Sequence, residues 1–593
     1  MASWRLGGSS SSWIGPLIVA TVGLVMTFII WNRGPDPVLD FGREVYIPWQ
    51  INQGEVLYRD FEYFNGPFSP YFNALVFRIF GTSLQAITTV NLLIVIAATV
   101  LIYSLLLRVS DHAGATAGCC AFLICCALVH RTGIANFNFI TPYSHELPHG
   151  LVLSLAMIGC LFAYVGKQNL HWVAIAGFLL GLVFLTKAEV FLAAGITCIV
   201  GLILAFWLIG AKPTQIATAV GIFVAVALSP ILVAFLLLTN ASNTTTALHG
   251  LAGSWPWVGD QRLLQLPYFQ ALLGTDKLGQ NLLTITIWTL IYAAVVFSAW
   301  LIGRLEPKRA LLISIIAGVG LCALVLGASP WIAWENFLRP MPILLLIAFI
   351  WLSTNLWRCR SELPVRRMLM LRVLLALFGG LMLLKMALNV SLLHYGFGLA
   401  MPGLIVLVVA MVSWLPRIVG APLRVLSLGL LVAVLLVHAH ITWRNSQGMI
   451  IPVGSGGDTF FTDGRGVALD YLLEDLKSVP AEKTLTVMPE GLIANYLARR
   501  VNPSPYHQFT PPNLIMYGED KMLGTLEQRP PDYIALVHIK NVEYGAPFFG
   551  KDYAQGIARW VEQNYHEVHL IGDRPFEETT AFGIRLMQRN AQD

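Results

Sequence analysis

Long uninterrupted apolar runs recur along most of this chain, and they constrain its fold more than any other feature. Runs of about 18 residues or more match a helix that crosses a bilayer and exceed what a barrel strand needs. Only 12% of the 593 residues are charged, about half the share in soluble domains. The sequence therefore predicts an integral membrane protein and excludes a soluble enzyme, a secreted disulfide-rich domain and a disordered chain.

We place about thirteen spanning helices in the first 441 residues, which predicts a polytopic α-helical membrane protein. The run at 13–31 lacks a small-residue cleavage site after it, so it reads as an uncleaved anchor. The runs lie at 13–31, 84–107, 113–130, 148–165, 170–186, 189–210, 214–239, 282–303, 310–329, 341–357, 368–390, 399–415 and 422–441.

Basic residues give the orientation, because positive charge accumulates in cytoplasmic loops. They fall in alternate short loops, which we therefore place in the cytoplasm together with the N-terminus. The chain is predicted to be a multi-pass protein of the plasma (inner) membrane, with long outer loops at 32–83 and 240–281. The net charge of +5 gives no reason to expect a nucleic acid partner. The basic residues are Arg108, Lys167, Lys212, Arg304, Lys308, Arg309, Arg358, Arg360, Arg366, Arg367, Arg417 and Arg424.

The composition changes after residue 441, where charges and prolines return to the density of a soluble protein. Residues 484–488 and 532–539 read as short buried strands, and 555–565 as an amphipathic helix. An odd number of spans places this tail outside the cytoplasm. We predict that 442–593 is an extracytoplasmic (periplasmic) α/β domain and that 1–441 is the membrane module.

The first outer loop combines acids, arginines and aromatic residues beside the membrane. Asp40 and Glu44 are four residues apart, so on a helix they would share a face and raise each other's pKa, as a general base requires. The alternative is an interfacial segment whose charges only face water.

A series of short motifs follows in a fixed order along this loop: Asp40, Gly54, Tyr58, Arg59, Asp60, Gly66, Pro67, Gly81, Thr82 and Ser83. Their order resembles the first periplasmic loop of bacterial GT-C membrane glycosyltransferases, the relatives of protein mannosyltransferases and of the aminoarabinose transferase of lipid A. The chain has Phe41 where that family commonly has Glu after the loop acid, and Glu44 is the candidate to compensate.

Lys187 ends a Gly-Leu-x-x-Leu-Thr-Lys stretch that is similar to another motif of the family, and the topology places it at the outer membrane face. A lysine at this depth is a candidate functional cation, and snorkelling to the surface is the alternative. Glu146 lies where the family carries its second loop acid. His145 and His149 complete a His-Glu-x-x-His pattern, but Pro148 falls where a zinc protease needs an unbroken helix, so we assign no metal ligand.

Two later outer loops carry further candidates. Arg339 suits a lipid phosphate through its planar guanidinium, or serves as an interface anchor. His394 and Tyr395 lie on the next outer loop and are candidates for binding acceptor or sugar. Tryptophans on this side either cover sugar faces or form the aromatic belt of the membrane. They are Trp255, Trp257, Trp331 and Trp334.

The resemblance implies an inverting transferase that moves a sugar from a polyprenyl-phosphate donor to an acceptor hydroxyl at the outer face. Asp40 would be the base, with Glu44 and Glu146 as further catalytic acids. Lys187, Arg339 and Arg59 would bind the donor phosphate. Binding of acceptor or sugar would fall to Asp60, Tyr58, His145, His394 and Tyr395.

The partners implied are the lipid-linked donor, membrane lipids, and a lipid, glycan or protein acceptor. No fixed cofactor is implied, because some members of the class use a divalent metal ion and others use none. No phosphate-cradling Gly-rich loop lies in an outer loop, which disfavours a nucleotide sugar.

Two other functions are compatible with the helix count. A transporter or flippase would place ionisable residues near the midplane in paired halves, whereas this chain carries its polar motifs at one face. A non-catalytic scaffold would use the tail as a binding module, and loss of sugar transfer in Asp40→Asn would argue against it.

Overall fold

A computed structural model describes residues 13–39, 41–131 and 136–591. Asp40, the predicted base, lies outside the described residues. The described chain is helical from Ile14 to Gln447, and all the named strands follow that part.

The helices of the first part are α1 (Ile14–Ile30), α2 (Phe41–Asn52), α3 (Phe68–Phe80), α4 (Leu84–Val109), α5 (His112–Phe122), α6 (Glu146–Lys167), α7 (Leu170–Phe184), α8 (Ala188–Ile209), α9 (Pro213–Ala241), α10 (Thr244–Ala252), α11 (Gln261–Leu264), α12 (Pro267–Leu273), α13 (Leu278–Ile302), α14 (Pro307–Ala328), α15 (Met341–Arg358), α16 (Leu363–Met382), α17 (Gly396–Leu399), α18 (Met401–Val409), α19 (Pro416–Val419) and α20 (Ala421–Gln447). Short π-helical stretches at Leu123–Ala127 and Ala410–Trp414 continue α5 and α18.

The spanning part agrees with the hydropathy of the sequence. Within the described residues, nine helical stretches are long and apolar enough to cross a membrane, and three shorter apolar helices accompany them. Each of the predicted runs overlaps a helix. The chain is a multi-pass membrane protein.

One predicted boundary is wrong. The run at 368–390 corresponds to α16, which begins at Leu363 and ends at Met382. Pro364 fits the first turn, where no backbone donor is needed. The leucines after Met382 continue the apolar pattern although the chain has already left the helix, and a short 3₁₀ turn follows at Leu384–Met386.

The two long loops that the sequence predicts to be outer, 32–83 and 240–281, contain helices, and we keep the names first and second outer loop for them. The first holds α2 and α3, and the second holds α10, α11 and α12. Helix α2 is buried on nearly all sides, which is not the pattern of an interfacial helix that lies on lipid with one polar face.

The tail contains the sheet that the sequence predicts. Its helices are α21 (Arg465–Lys477), α22 (Leu492–Ala498), α23 (Pro511–Tyr517), α24 (Glu519–Gln528) and α25 (Gln555–Asn564). Its strands are β1 (Ile451–Val453), β2 (Phe460–Thr462), β3 (Leu485–Met488), β4 (Tyr533–Val537), β5 (Tyr565–Gly572) and β6 (Gly583–Arg589). Strands β1 and β2 form a hairpin, and the other four form a sheet in the order β3-β4-β6-β5. Only the β3–β4 pair is parallel among the described pairs.

The tail shares a hydrophobic core with the first outer loop. One cluster of buried side chains contains Phe41 and Tyr46 from α2 together with Ile493 and Tyr496 from α22. Gly42 allows this packing, since a Cβ there would lie 2.1 Å from the backbone nitrogen of Ile493. Buried apolar area stabilises at about 25 cal/mol per Å², so this contact fixes the loop against the tail.

Polar contacts reinforce the same interface. The buried carboxylate of Asp36 accepts a hydrogen bond from Arg465 of α21 at 2.7 Å. The Asn502 backbone N–H donates to the Tyr46 hydroxyl at 2.8 Å. Bonds between a charged pair at a partly buried position are stronger than those at an exposed one. The first loop is therefore fixed between the membrane helices and the tail.

Candidate functional site

Glu44 lies at the centre of a buried polar cluster. Its Oε2 accepts from His145 Nδ1 at 2.7 Å and from the His145 backbone N–H at 3.0 Å. Its Oε1 accepts from Arg43 Nη2 at 3.1 Å. Asn91 Nδ2 lies 2.9 Å from His145 Nε2. Residues of α2 and α4 and the residue that precedes α6 are thus bound into one network that fixes the start of α2.

The pKa of Glu44 is lowered, contrary to the sequence expectation of a raised value. Burial of the carboxyl favours the neutral form, but the hydrogen bond from His145 and the charge of Arg43 outweigh it. Glu44 is therefore held as a carboxylate, and its side chain is fully engaged in orienting Arg43 and His145.

Glu146 is the second buried carboxylate of the site. It begins α6 and accepts hydrogen bonds from the hydroxyls of Tyr63 and Ser144. Tyr63 comes from the first outer loop, so this contact joins the first two outer loops. Acidic side chains are favoured in the first turn of a helix, so the start of α6 stabilises the Glu146 carboxylate.

The His-Glu-x-x-His stretch does not form a metal site within the described part of the chain. Pro148 lies inside the first turn of α6 and the helix continues through it to Lys167, so the expected interruption is absent. The histidines instead bind neighbours, His145 as above and His149 through Nδ1 to Ser69 at 2.9 Å. Among the described residues, no group of three or more His, Cys, Asp or Glu could hold a metal ion.

The segment around Gly66 in the first outer loop and the end of the fifth apolar run, just before Lys187, contact each other through their backbones. The Gly66 N–H donates to the Thr186 carbonyl at 2.8 Å, and the Phe68 N–H donates to the Leu185 carbonyl at 3.0 Å. Only glycine fits at 66, because a Cβ would lie 2.2 Å from the Leu185 carbonyl oxygen. The turn that carries Lys187 is therefore docked directly on the first outer loop.

Lys187 is buried at the start of α8, with its side chain only 6% exposed. Its ammonium lies 3.6 Å from Glu189 Oε1 and 4.6 Å from the centre of the Tyr395 ring. Glu146 and Arg43 are close enough to act electrostatically on it. The cation predicted from the sequence thus lies in the same neighbourhood as the buried carboxylates.

Lys385 joins Lys187 at this point. Its ammonium lies 3.1 Å from the same Glu189 oxygen and 5.2 Å from the centre of the Tyr395 ring. Tyr395 also packs edge-on against Tyr143, with ring centres 5.2 Å apart. We call Lys187, Lys385, Glu189 and Tyr395 the lysine cluster.

Arg59 and Asp60 lie at the surface and bind each other. Arg59 Nη2 is 2.6 Å from Asp60 Oδ2, and Arg59 Nη1 donates to the Ala241 carbonyl at 3.0 Å. Asp60 also accepts from the Val56 N–H at 2.7 Å. Burial acts to raise the pKa of Asp60, but the bonds from Arg59 and Val56 lower it overall. This pair closes a turn of the loop and ties it to the end of α9.

Tyr58 is buried and holds the same loop from inside. Its hydroxyl donates to the Asn65 carbonyl at 2.6 Å, and Gly250 of α10 packs against its ring. Its backbone adopts φ +68°, a strained value for a side chain of this size. Tyr58 therefore holds in place the part of the loop that leads to Gly66.

Arg339 and His394 are both held by contacts with other parts of the chain. Arg339 Nη1 donates to Asn281 Oδ1 at 2.7 Å and to the Leu388 carbonyl at 3.4 Å. The His394 ring packs on Phe137 with centres 4.9 Å apart, and burial lowers its pKa.

The tryptophans predicted to lie on the outer side have different surroundings. Trp255 packs near Phe191 with ring centres 5.9 Å apart, and Trp257 lies 6.4 Å from Tyr517 of the tail. Trp331 is 83% exposed on the surface of the helical part, as a membrane belt residue would be.

A narrow cleft lies between the first outer loop and the tail. Arg43, Tyr63 and Phe64 form one side, and Tyr506, His507 and Gln508 are among the residues of the other. Burial lowers the pKa of His507 to about 3, so the ring is neutral at physiological pH. Arg43 and Tyr63 face this cleft while their polar groups bind Glu44 and Glu146.

Several residues of the site escaped the sequence analysis. Lys385 was hidden inside an apolar run that seemed to be helix, and Tyr63 and His507 carry no motif. Arg43 was visible as a charge beside Glu44, but its burial depends on the tail, which comes more than 400 residues later. Such contacts between distant parts of a chain leave no local signal.

The comparisons with known proteins give structural matches only. No family model matches the chain, and no curated protein matches it in sequence. The Archaeoglobus fulgidus oligosaccharyltransferase tethered with an acceptor peptide is 13% identical, with a TM-score of 0.48 and coverage of 97% of this chain and 74% of that one. ArnT from Cupriavidus metallidurans bound to undecaprenyl phosphate is 12% identical, with a TM-score of 0.43 and coverage of 98% of both chains.

Proposed function

We propose that this chain is a membrane glycosyltransferase that moves a sugar from a polyprenyl-phosphate donor to an acceptor hydroxyl at the outer face of the membrane. One observation carries the proposal. The hydrogen bond from Gly66 to Thr186 docks the turn of Lys187 on the loop that supplies Asp40, Arg43 and Glu44.

The position of the site along the helices supports this activity. The polar residues lie where α1, α5 and α7 end and where α4, α6 and α8 begin, so they share one end of the bundle. A donor with a long lipid tail can keep that tail in the bilayer while its phosphate reaches this end. The positive charge of the alternate loops supports an outer, extracytoplasmic position for this end.

The lysine cluster supplies the cation that the chemistry requires. A polyprenyl phosphate that leaves gains negative charge in the transition state, and a fixed ammonium in a site that excludes water stabilises that charge. Lys187 meets this requirement through its burial. Arg59 is turned to Asp60 and Ala241, so we assign it to the loop structure and not to the phosphate.

The transfer is a single displacement at the anomeric carbon. The acceptor oxygen attacks the anomeric carbon, the bond from that carbon to the phosphate oxygen breaks, and the electron pair leaves with the polyprenyl phosphate. Asp40 takes the acceptor proton, and attack from the opposite face inverts the anomeric centre. The transition state is oxocarbenium-like, as in glycoside hydrolysis.

The remaining polar residues position the reactants. Glu44 is bound to Arg43 and His145 and keeps the start of α2 in place. Glu146, held by Tyr63 and Ser144, is the carboxylate that would orient the acceptor hydroxyl. The cleft between loop and tail gives the acceptor its approach, with aromatic side chains on both sides.

A panel of donors tests the activity. The full-length protein in lipid nanodiscs is incubated with polyprenyl-phosphate hexoses, pentoses and aminosugars, together with a heat-treated membrane extract that supplies lipid, glycan and protein acceptors. Release of free polyprenyl phosphate is followed by mass spectrometry. We expect release with one sugar class and none with the matching nucleotide sugars. Release from no member of the panel, with or without added divalent cations, would contradict the proposal.

A charge variant locates the donor site. Lys187→Gln should weaken donor binding and slow release, because a charged hydrogen bond to phosphate contributes about 1.5–3 kcal/mol. Lys277→Gln is the matched control, since Lys277 is an exposed lysine of the second outer loop. Equal effects of the two variants would show only general attraction of an anionic lipid to a basic surface.

A further inference from the structure

The lysine cluster holds two ammonium groups on one carboxylate oxygen. Lys385 and Lys187 lie 3.1 Å and 3.6 Å from Glu189 Oε1. Both ammoniums also lie over one aromatic ring, that of Tyr395. Two cations that converge from different helical segments on one acceptor and one ring form a built site for negative charge.

Like charges this close are costly unless anions balance them. Lys187 is buried, and one carboxylate offsets one of the two lysines. Of the other charges near Lys187, Glu146 is attractive and Arg43 is repulsive. An additional anion between the lysines would therefore be favoured. A lipid phosphate has several non-bridging oxygens, so it can accept hydrogen bonds from both ammoniums at once.

Lys385 is the more accessible of the two lysines. Its side chain is 34% exposed, whereas that of Lys187 is 6% exposed. Lys385 follows the end of α16 on a short turn, and its side chain is the one of the two that a ligand can reach from the surface. A lipid phosphate that approaches from the bilayer would meet Lys385 before Lys187.

The turn that carries Lys385 is held from behind. The Leu388 N–H donates to the Leu273 carbonyl at 3.1 Å, and Asn389 Nδ2 donates to the Ala271 carbonyl at 2.5 Å. Arg339 Nη1 approaches the Leu388 carbonyl at 3.4 Å. These bonds join the turn to α12 of the second outer loop, so Lys385 projects from a fixed backbone.

We infer that Lys385 is a second ligand of the donor phosphate, beside Lys187, with the lipid phosphate bridging the two ammoniums in front of Tyr395. The inference rests on the proposed function and adds a binding residue to it. A purely structural Lys385 would only neutralise Glu189, and its loss would leave phosphate binding unchanged.

Binding of a simple lipid phosphate tests this directly. The full chain in nanodiscs is titrated with geranylgeranyl phosphate, and geranylgeraniol is the probe without phosphate. Lys385→Gln should weaken geranylgeranyl phosphate binding about ten- to a hundred-fold and leave geranylgeraniol binding unchanged. Lys385→Arg keeps the charge and should retain most of the affinity, and Lys277→Gln should behave as wild type.

The outcomes separate this inference from the proposed function. If Lys187→Gln weakens phosphate binding and Lys385→Gln does not, Lys385 is a structural ion-pair partner and the inference is wrong, while the proposed function stands. If neither variant changes phosphate binding and no donor releases its lipid phosphate, the proposed function fails as well.

A second measurement uses only the wild-type protein, so it does not depend on how the variants fold. Lysines are acetylated with a limiting N-hydroxysuccinimide ester, and the modified residues are quantified by mass spectrometry. Geranylgeranyl phosphate should protect Lys385 from acetylation, geranylgeraniol should not, and Lys277 should react equally in both samples. Equal acetylation of Lys385 with both lipids would overturn the inference.

Discussion

Replacing Gly66 by alanine tests whether the contact between the first outer loop and the Lys187 turn supports function. A Cβ at 66 would lie 2.2 Å from the Leu185 carbonyl oxygen, whereas ordinary contact begins at 3.4 Å. The loop and the turn must therefore separate by about 1 Å. The bonds from Gly66 and Phe68, now 2.8 and 3.0 Å, would lengthen beyond hydrogen-bonding distance.

The separation should affect both folding and catalysis. Overpacking costs about 1–3 kcal/mol, and each lost hydrogen bond costs about 1 kcal/mol more. A displacement of about 1 Å at a reacting centre lowers the rate about a hundred-fold. We therefore expect Gly66→Ala to fold with a modestly lower melting temperature and to release polyprenyl phosphate about a hundred times more slowly.

The assay compares release rate, lipid-phosphate affinity and thermal unfolding in the same nanodisc preparation. Gly279→Ala is the matched control, because nothing lies within 4 Å of a Cβ at that position of α13. It should behave as wild type in all three measurements. A folded Gly66→Ala protein with the wild-type rate would refute the view that this contact positions Lys187.

Three further predictions concern stability. Glu44→Gln breaks a buried ion pair with Arg43, so it should destabilise the protein by about 3–5 kcal/mol. Because the Glu44 pKa is lowered in the folded protein, the carboxylate contributes stability above about pH 4.5 and loses that contribution below it. Thermal unfolding measured between pH 7 and pH 4 should therefore show a smaller loss of stability for the variant than for the wild type. His507→Phe should remove part of the loss of stability in acid. His507 has a pKa of about 3 in the folded protein and near 6.5 in the unfolded chain, so the free energy of unfolding of the wild type falls by up to about 1.4 kcal/mol per pH unit as the pH drops through that range. Equal slopes of unfolding free energy against pH for both proteins would contradict this. Asp36→Asn weakens the contact with Arg465 and should speed hydrogen exchange in α21 but not in α25, which denaturant-free exchange mass spectrometry can resolve.

The sequence predicts the helices of this protein well because membrane-spanning runs are long and apolar. Boundaries are less certain where apolar residues continue past the end of a helix, as after Met382. That error concealed Lys385, which appeared to be one charge inside a span. Hydropathy registers solvent preference and does not register where a backbone turns.

The site was predictable only in part. The loops that carry Glu44, Glu146 and Lys187 could be placed on one side of the membrane from the basic residues. Their actual partners could not be predicted, because His145 lies 101 residues from Glu44 and Lys385 lies 196 residues from Glu189. Glu44 illustrates the consequence, since the hydrogen bond from the distant His145, together with the charge of the adjacent Arg43, reverses the pKa shift that its spacing from Asp40 suggested.

The catalytic assignment of Asp40 is tested most directly by separating binding from turnover in Asp40→Asn. Affinity for the polyprenyl-phosphate sugar and release of free polyprenyl phosphate are measured on the same protein preparation. We expect Asp40→Asn to bind the donor with nearly wild-type affinity and to release almost no lipid phosphate. Release at the wild-type rate from Asp40→Asn would contradict the account, because the acceptor proton would then have another base.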